Sequence, residues 1–310
     1  MGKASKSKQD EYGRREKIAA QRAAAKRAEQ RRNGLLIAGG AVIVVIAVVV
    51  AFIVVKSNKS SSKPSASASI SGAPAGANLT SILHTITTVP TSATDAAGKG
   101  GSAVTPPYKT SGQPQLTSGG KPEMLYVGAE YCPYCAAERW AMIVALSRFG
   151  TFSGIEPMRS SSSDIYANTA TWTFAHATYT SNYVTFSPVE MYTNIPDGQG
   201  YTTLQTLSSA QASLFQKYDG PPYVSSSDAE SYPFVDFGNQ YLIIGSSYSP
   251  QVLSGLTWSQ IASDLTNSSS PVAQGINGTA NYMTAALCKL TSNQPSTACT
   301  STVQSLEPSI

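Results

Sequence analysis

Residues 130–145, E-Y-C-P-Y-C-A-A-E-R-W-A-M-I-V-A, place Cys132 and Cys135 in a C-x-x-C. Just before them M-L-Y-V-G-A, residues 124–129, has the length of a buried strand, and the residues after them are good helix formers without a glycine. The stretch reads as strand, turn, helix, with both thiols at the turn. Pro133 suits the first helical position, where a missing N–H costs nothing. Cys132 then sits among unpaired backbone N–H groups at the positive end of the helix dipole, a setting for a nucleophilic sulfur, with Cys135 one turn further in as the resolving partner. Thiol–disulfide exchange is the chemistry this spacing suits.

A structural zinc site would need a second pair of similar spacing. The other two cysteines, Cys288 and Cys299, have ten residues between them and no histidine nearby. A copper-handling role would have to recruit His176 or Met191 through the fold. No metal ligand set is assigned, and no motif calls for a cofactor.

Outward from this stretch, charge divides the 310 residues. Residues 1–34 carry eleven Lys or Arg against four acids, whereas residues 64–310 carry eight against fourteen. The two ends are expected in different compartments. Between them residues 35–55 are 21 uncharged, apolar residues. As a helix at about 1.5 Å per residue they reach roughly 31 Å, the thickness of a hydrocarbon core. The reading is a single-pass membrane anchor with the basic residues 1–34 as a cytoplasmic tail and the rest extracytoplasmic. A cleaved signal peptide, with S-A-S-A at 65–68 as its cleavage site, is the alternative, but its apolar core is usually shorter. Cysteine pairs beyond the membrane fit an oxidising compartment. The basic tail lacks the aromatic and fold signatures of nucleic-acid binding, so no nucleic acid is expected.

Residues 56–119, rich in Ser, Ala, Gly, Thr and Pro, read as a spacer. One patch at 79–89, with Ile82, Leu83, His84 and Ile86, is apolar enough to form a helix or dock on the domain that fills 120–310. Within that domain a second strand is expected at 152–159, interrupted by Pro157. Further β-rich stretches follow at 172–177 and 183–192, and a helix at 204–218. Residues 231–245, S-Y-P-F-V-D-F-G-N-Q-Y-L-I-I-G, read as a hairpin turning at Gly238-Asn239, with Pro233 opening its first strand. Helices are expected at 257–267 and 272–290, and Cys288 with Cys299 can bridge to tie down a C-terminal extension at about 270–310. His176 is a candidate for proton handling or for a plain hydrogen bond in a strand. Four N-x-[ST] motifs begin at Asn58, Asn78, Asn267 and Asn277.

Strand, C-x-x-C helix, proline-opened hairpin and closing helix, over about 120–268, resemble the thioredoxin-like superfamily. The resemblance implies an α/β fold, a central mixed sheet flanked by helices, with an insertion at about 160–225. It also implies a cis peptide bond at Tyr232-Pro233 facing the cysteines, and a substrate groove bordered by Pro133, Tyr134, Tyr232 and Pro233. The Pro133-Tyr134 dipeptide is that of glutaredoxins. Tyr126 stands where thioredoxins carry a buried carboxylate, which leaves Glu130 and Glu138 as substitute proton handlers. More narrowly, the anchor with G-A-E-Y-C-P-Y-C-A-A-E-R-W is similar to the domain-of-unknown-function 929 family, over 35–310. The function expected is a membrane-anchored thiol–disulfide oxidoreductase acting on extracytoplasmic cysteine-containing proteins, with a membrane redox partner to recycle it. The alternatives are a non-catalytic binding module in which the same pair is a permanent disulfide, and a metal carrier.

Overall fold

The computed structural model describes residues 72–310 except 103 and 227, all within one of the chain's two compact units, Ile70–Ile310. The basic tail, the apolar run at 35–55 and the spacer up to 71 lie outside the described residues. Among the described residues no helix is long and apolar enough to cross a membrane.

The apolar run before the cysteines becomes strand β3 (Lys121–Gly128), the centre of a six-stranded mixed sheet. Short β1 (Tyr108–Lys109) and β2 (Thr117–Ser118) precede it. On one side β3 runs parallel to β8 (Thr185–Glu190), with Val127 opposite Val189. On the other it runs antiparallel to β11 (Phe234–Phe237), which pairs in turn with β12 (Tyr241–Ile244). The hairpin turns where expected, because Gly238 and Asn239 both take φ of 61°, the left-handed region that the tight turn needs. Strand alternation sends Met124, Tyr126, Val235 and Phe237 to one face and Leu125, Val127, Phe234 and Leu242 to the other. The first face is covered by α3 (Pro133–Leu146) and α6 (Pro271–Leu290), the second by α4 (Ser209–Tyr218) through Phe215 and Tyr218. The result is three layers.

Helix α3 is buried on every side, with only Tyr134 partly exposed. Its Trp140, together with Trp172 and Trp258, is almost wholly shielded, and the Trp140 and Trp172 rings meet edge to face at 5.5 Å.

Several elements differ from the sequence reading. Residues 76–97, placed in the spacer, form α1 (Gly76–Thr87) and α2 (Thr91–Ala97); α1 holds most of the apolar patch expected to form a helix or dock, and its Ile82 and Ile86 join the main core. Two buried isoleucines at i and i+4 suffice to hold a helix whose flanks are polar. The strand expected at 152–159 is two: β4 (Gly150–Ser153) and β5 (Glu156–Arg159). The break falls at Gly154, at φ 74°, and Pro157 lies inside β5, opposite Trp172 of β6 (Ala170–Thr173). The stretch counted as an insertion supplies β8, a member of the main sheet. It also supplies β6, β7 (Thr178–Ser181) and the hairpin of β9 (Tyr192–Pro196) and β10 (Tyr201–Thr203), all in two-stranded sheets. Helix α4 starts at Ser209, where Ser208 and Gln211 form a reciprocal cap. Helix α5 (Trp258–Asp264) and the terminal α7 (Ser301–Leu306) complete the chain.

Candidate active site

Pro133 occupies the first turn of α3 and leaves Cys132 as the N-cap, extended at φ −74° and ψ 121°. Its Sγ accepts the Cys135 backbone N–H at 3.2 Å, so the sulfur does the work of a capping oxygen. The Cys132 thiol also donates to the Tyr232 carbonyl at 3.7 Å. The Tyr232–Pro233 peptide bond, at the start of β11, is cis. The two cysteines are free thiols, Cys132 6% exposed and Cys135 fully shielded. Burial pushes the Cys135 pKa well up, the neighbouring Cys132 adds to this, and Arg139 opposes it.

Tyrosines surround the pair. Tyr131, Tyr134, Tyr192 and Tyr232 pack against Ala129, Cys132 and Cys135. Tyr131 stacks flat on Tyr201 at 4.1 Å, and Tyr134 meets Tyr166 edge-on at 6.0 Å. Backbone bonds fix this collar: Ser161 N–H to the Tyr131 carbonyl at 2.8 Å and Glu130 N–H to the Tyr192 carbonyl at 2.8 Å. Ile165 and Ile195, each 55% exposed, lie on the two segments that supply Tyr166 and Tyr192. Tyr134, Tyr232, Pro133 and Pro233 thus border the thiols, while Tyr131, Tyr166, Tyr192 and Tyr201 were not singled out from sequence. Tyr131 adjoins Cys132, but nothing local marks the other three, which lie 34 or more residues after Cys132 along the chain.

The three candidates for proton handling fare differently. Glu130, two residues before Cys132, is partly buried with its Oε1 accepting from the Thr173 hydroxyl at 2.7 Å, and burial raises its pKa. Glu138 is fully buried but turned to the segment after β12, where its two oxygens accept from the Ser247 N–H and hydroxyl at 2.8 Å each. Burial lifts its pKa to about 7. His176 lies at the surface, 3.5 Å from the exposed Glu156.

The group that sequence reasoning missed is Arg139. Four residues after Cys135, it comes onto the same side of α3. Its guanidinium is fully buried and grips Glu190 at the end of β8 with two bonds, of 2.8 and 2.6 Å. It also donates to the Ala129 carbonyl at 2.8 Å and lies 6.0 Å from the Tyr126 ring. Desolvation alone would lower the Arg139 pKa, but Glu190 and Tyr126 outweigh it and the charge is held. Burial drives the Tyr126 phenol well up. Arg139 Nη1 and the Tyr126 hydroxyl have no hydrogen-bond partner among the described residues. The signal available in the sequence was a carboxylate, Glu190, at the end of a β-rich, aromatic stretch.

Cys288 and Cys299 form a disulfide joining the end of α6 to the loop before α7. Among the described residues no three His, Cys, Asp or Glu side chains gather as a metal site would need, and Met191 packs with the core around α4.

Two family patterns match the sequence. One, described as an inhibitor of host cell division protein domain, covers residues 12–71, which lie outside the described residues. No curated protein and no solved structure matches the chain. The other pattern, described as a domain of unknown function (DUF929), covers residues 106–289, more than half of the chain and the whole of the site, so the chain belongs to the domain-of-unknown-function 929 family.

Proposed function

We propose that this protein is a membrane-anchored thiol–disulfide oxidoreductase with a thioredoxin-like fold, acting outside the cytoplasm on cysteine-containing polypeptides. The observation that carries the reading is the placing of Cys132. Its sulfur caps α3, takes the Cys135 N–H and faces the carbonyl that precedes the cis Pro233. The fold reading is supported by the strand pattern: the strand before the cysteines parallel to β8, antiparallel to the proline-opened hairpin, with helices on both faces. Anchoring rests on the sequence at 35–55 alone.

In the reducing direction the Cys132 thiolate attacks one sulfur of a substrate disulfide. A Cys132–substrate disulfide forms, and the other substrate sulfur leaves with the electron pair and takes up a proton. Cys135, deprotonated, then attacks Cys132 Sγ. The Cys132–Cys135 disulfide forms, the second substrate sulfur leaves, and two electrons have passed to the substrate. Run backwards, the same steps oxidise a dithiol. A polypeptide substrate is favoured by the aromatic collar and by Ile165 and Ile195, an apolar setting that suits side chains flanking a cysteine.

The low exposure of Cys132 favours one rival, a binding module in which the pair is a permanent disulfide. The reduction potential of the Cys132/Cys135 couple in the full chain, equilibrated against glutathione with Cys132→Ser as control, separates the two. A value near about −120 mV marks a disulfide donor and one near about −270 mV a reductant. A pair still oxidised below about −300 mV is structural and ends the exchange reading. A Cys135→Ser variant is expected to accumulate mixed disulfides with polypeptides.

A further inference from the structure

The Arg139–Glu190 pair does more than join α3 to β8. A buried ion pair is seldom a net source of stability, and this one leaves a guanidinium nitrogen without a partner among the described residues, on the helix that carries Cys135 one turn earlier. Through Ala129 the guanidinium reaches the surroundings of Cys135: Arg139 Nη2 donates to the Ala129 carbonyl, and Ala129 is buried in one cluster with Cys132 and Cys135. The charged and titratable groups around Cys135 are Cys132 from the helix start, Tyr126 from β3, Arg139 from α3 and the collar tyrosines Tyr131, Tyr134, Tyr192 and Tyr232, with Glu190 of β8 bound to Arg139. Arg139 is the cation among them.

We propose that Arg139, restrained by Glu190, is the positioning residue that stabilises the Cys135 thiolate and so sets the rate of the resolving step. This rests on the exchange reading above. While Cys132 is charged it repels a second charge on Cys135. Once Cys132 is tied up in a mixed disulfide that repulsion ends, and the attraction of Arg139 is left to act. Cys135 then gives its proton to water, its electron pair forms the bond to Cys132 Sγ, and the departing sulfur takes the pair of the broken bond and a proton. Glu190 draws part of the guanidinium charge toward itself, so the two members of the pair act on Cys135 with opposite sign.

The test uses the reduced full chain and less than one equivalent of 5,5′-dithiobis(2-nitrobenzoate). Attack by Cys132 releases one coloured thiolate; attack by Cys135 on the resulting mixed disulfide releases the second. The pH midpoint of the second release is the readout. Arg139→Gln is expected to raise it by about one unit, making the second release about tenfold slower at pH 7. Arg139→Lys keeps the charge and should restore most of the rate, whereas Glu190→Gln should lower the midpoint and speed the release. A merely structural pair would move both Gln variants in the same direction through loosened packing, or neither; either result overturns the proposal. If Arg139→Gln does not fold, the direction of the Glu190→Gln shift decides alone. Absence of the first release from the unsubstituted protein would instead sink the exchange reading, and this inference with it.

Discussion

Glu138 illustrates how one residue reports on the environment of a whole helix. Its carboxyl is sealed in, faced by Ser247, and titrates near 7 in place of 4.5. Between those values the unfolded chain has lost the proton and the native chain keeps it. Folding stability therefore falls as pH rises through this window and levels off above about 7. The shift corresponds to about 3 kcal/mol. Asp236 on β11, also lifted by burial to about 7, acts with the same sign. Glu138→Gln should remove about one proton's worth of the slope; urea midpoints at pH 5 and 7.5 measure it, and an unchanged slope would show that Glu138 ionises freely. At this scale the sequence was informative wherever spacing is local. Cys132, Cys135 and Pro133 are read within four residues, and the C-x-x-C helix begins where the proline predicts. Arg139 and Glu190 were illegible as a pair, since 51 residues separate them and only the parallel pairing of β3 with β8 brings them together.

Elements were read well where their periodicity was strong and poorly where docking decides. The hairpin at β11 and β12 and helix α6 fall within a residue or so of expectation, because each carries its own turn or cap. Helix α1 was foreshadowed by the apolar patch at 79–89, whereas α2 was hidden in spacer-like composition, and what holds both is contact. The Gly100 backbone lies so close to α6 that a Cβ at Gly278 would stand 2.5 Å from the Gly100 Cα. Glycine to alanine inside a helix ordinarily stabilises by about 1 kcal/mol. Gly278→Ala is expected to do the opposite, lowering stability by about 1–3 kcal/mol through overpacking and loosening α1 and α2 first. Limited proteolysis between residues 88 and 102 alongside a denaturation curve checks this, and a more stable, equally resistant variant would contradict it. Truncating Ile86 to Ala, which deletes a fully buried side chain, should cost about 2–5 kcal/mol.

For the molecule as a whole, the C-terminal tail is part of the layer that covers the sheet. Val303 and Leu306 on α7 are buried in the main core, and the Cys288–Cys299 bond closes a short loop just before them. Replacing both cysteines by alanine is expected to cost about 2–4 kcal/mol, with the redox chemistry of Cys132 left in place. A melt that does not shift would mean that α7 holds without its staple. The plan of a mixed sheet flanked by helices was expected through the resemblance that the C-x-x-C helix and the proline-opened hairpin carry, and not from the apolar runs alone. The membership of β8 in the main sheet was not expected, because a strand in the middle of an apparent insertion declares its partner only through long-range pairing.

The burial of Trp140, Trp172 and Trp258 makes the domain its own optical probe. All three indoles sit in dry surroundings, two with their N–H groups bonded to the carbonyls of Ala170 and Thr171. Native emission should therefore lie toward the blue and move red as water reaches the rings. Trp140 rides on the helix that carries Cys135, so its light would also register any shift of that helix between the dithiol and disulfide states, without a label and without touching the sulfurs.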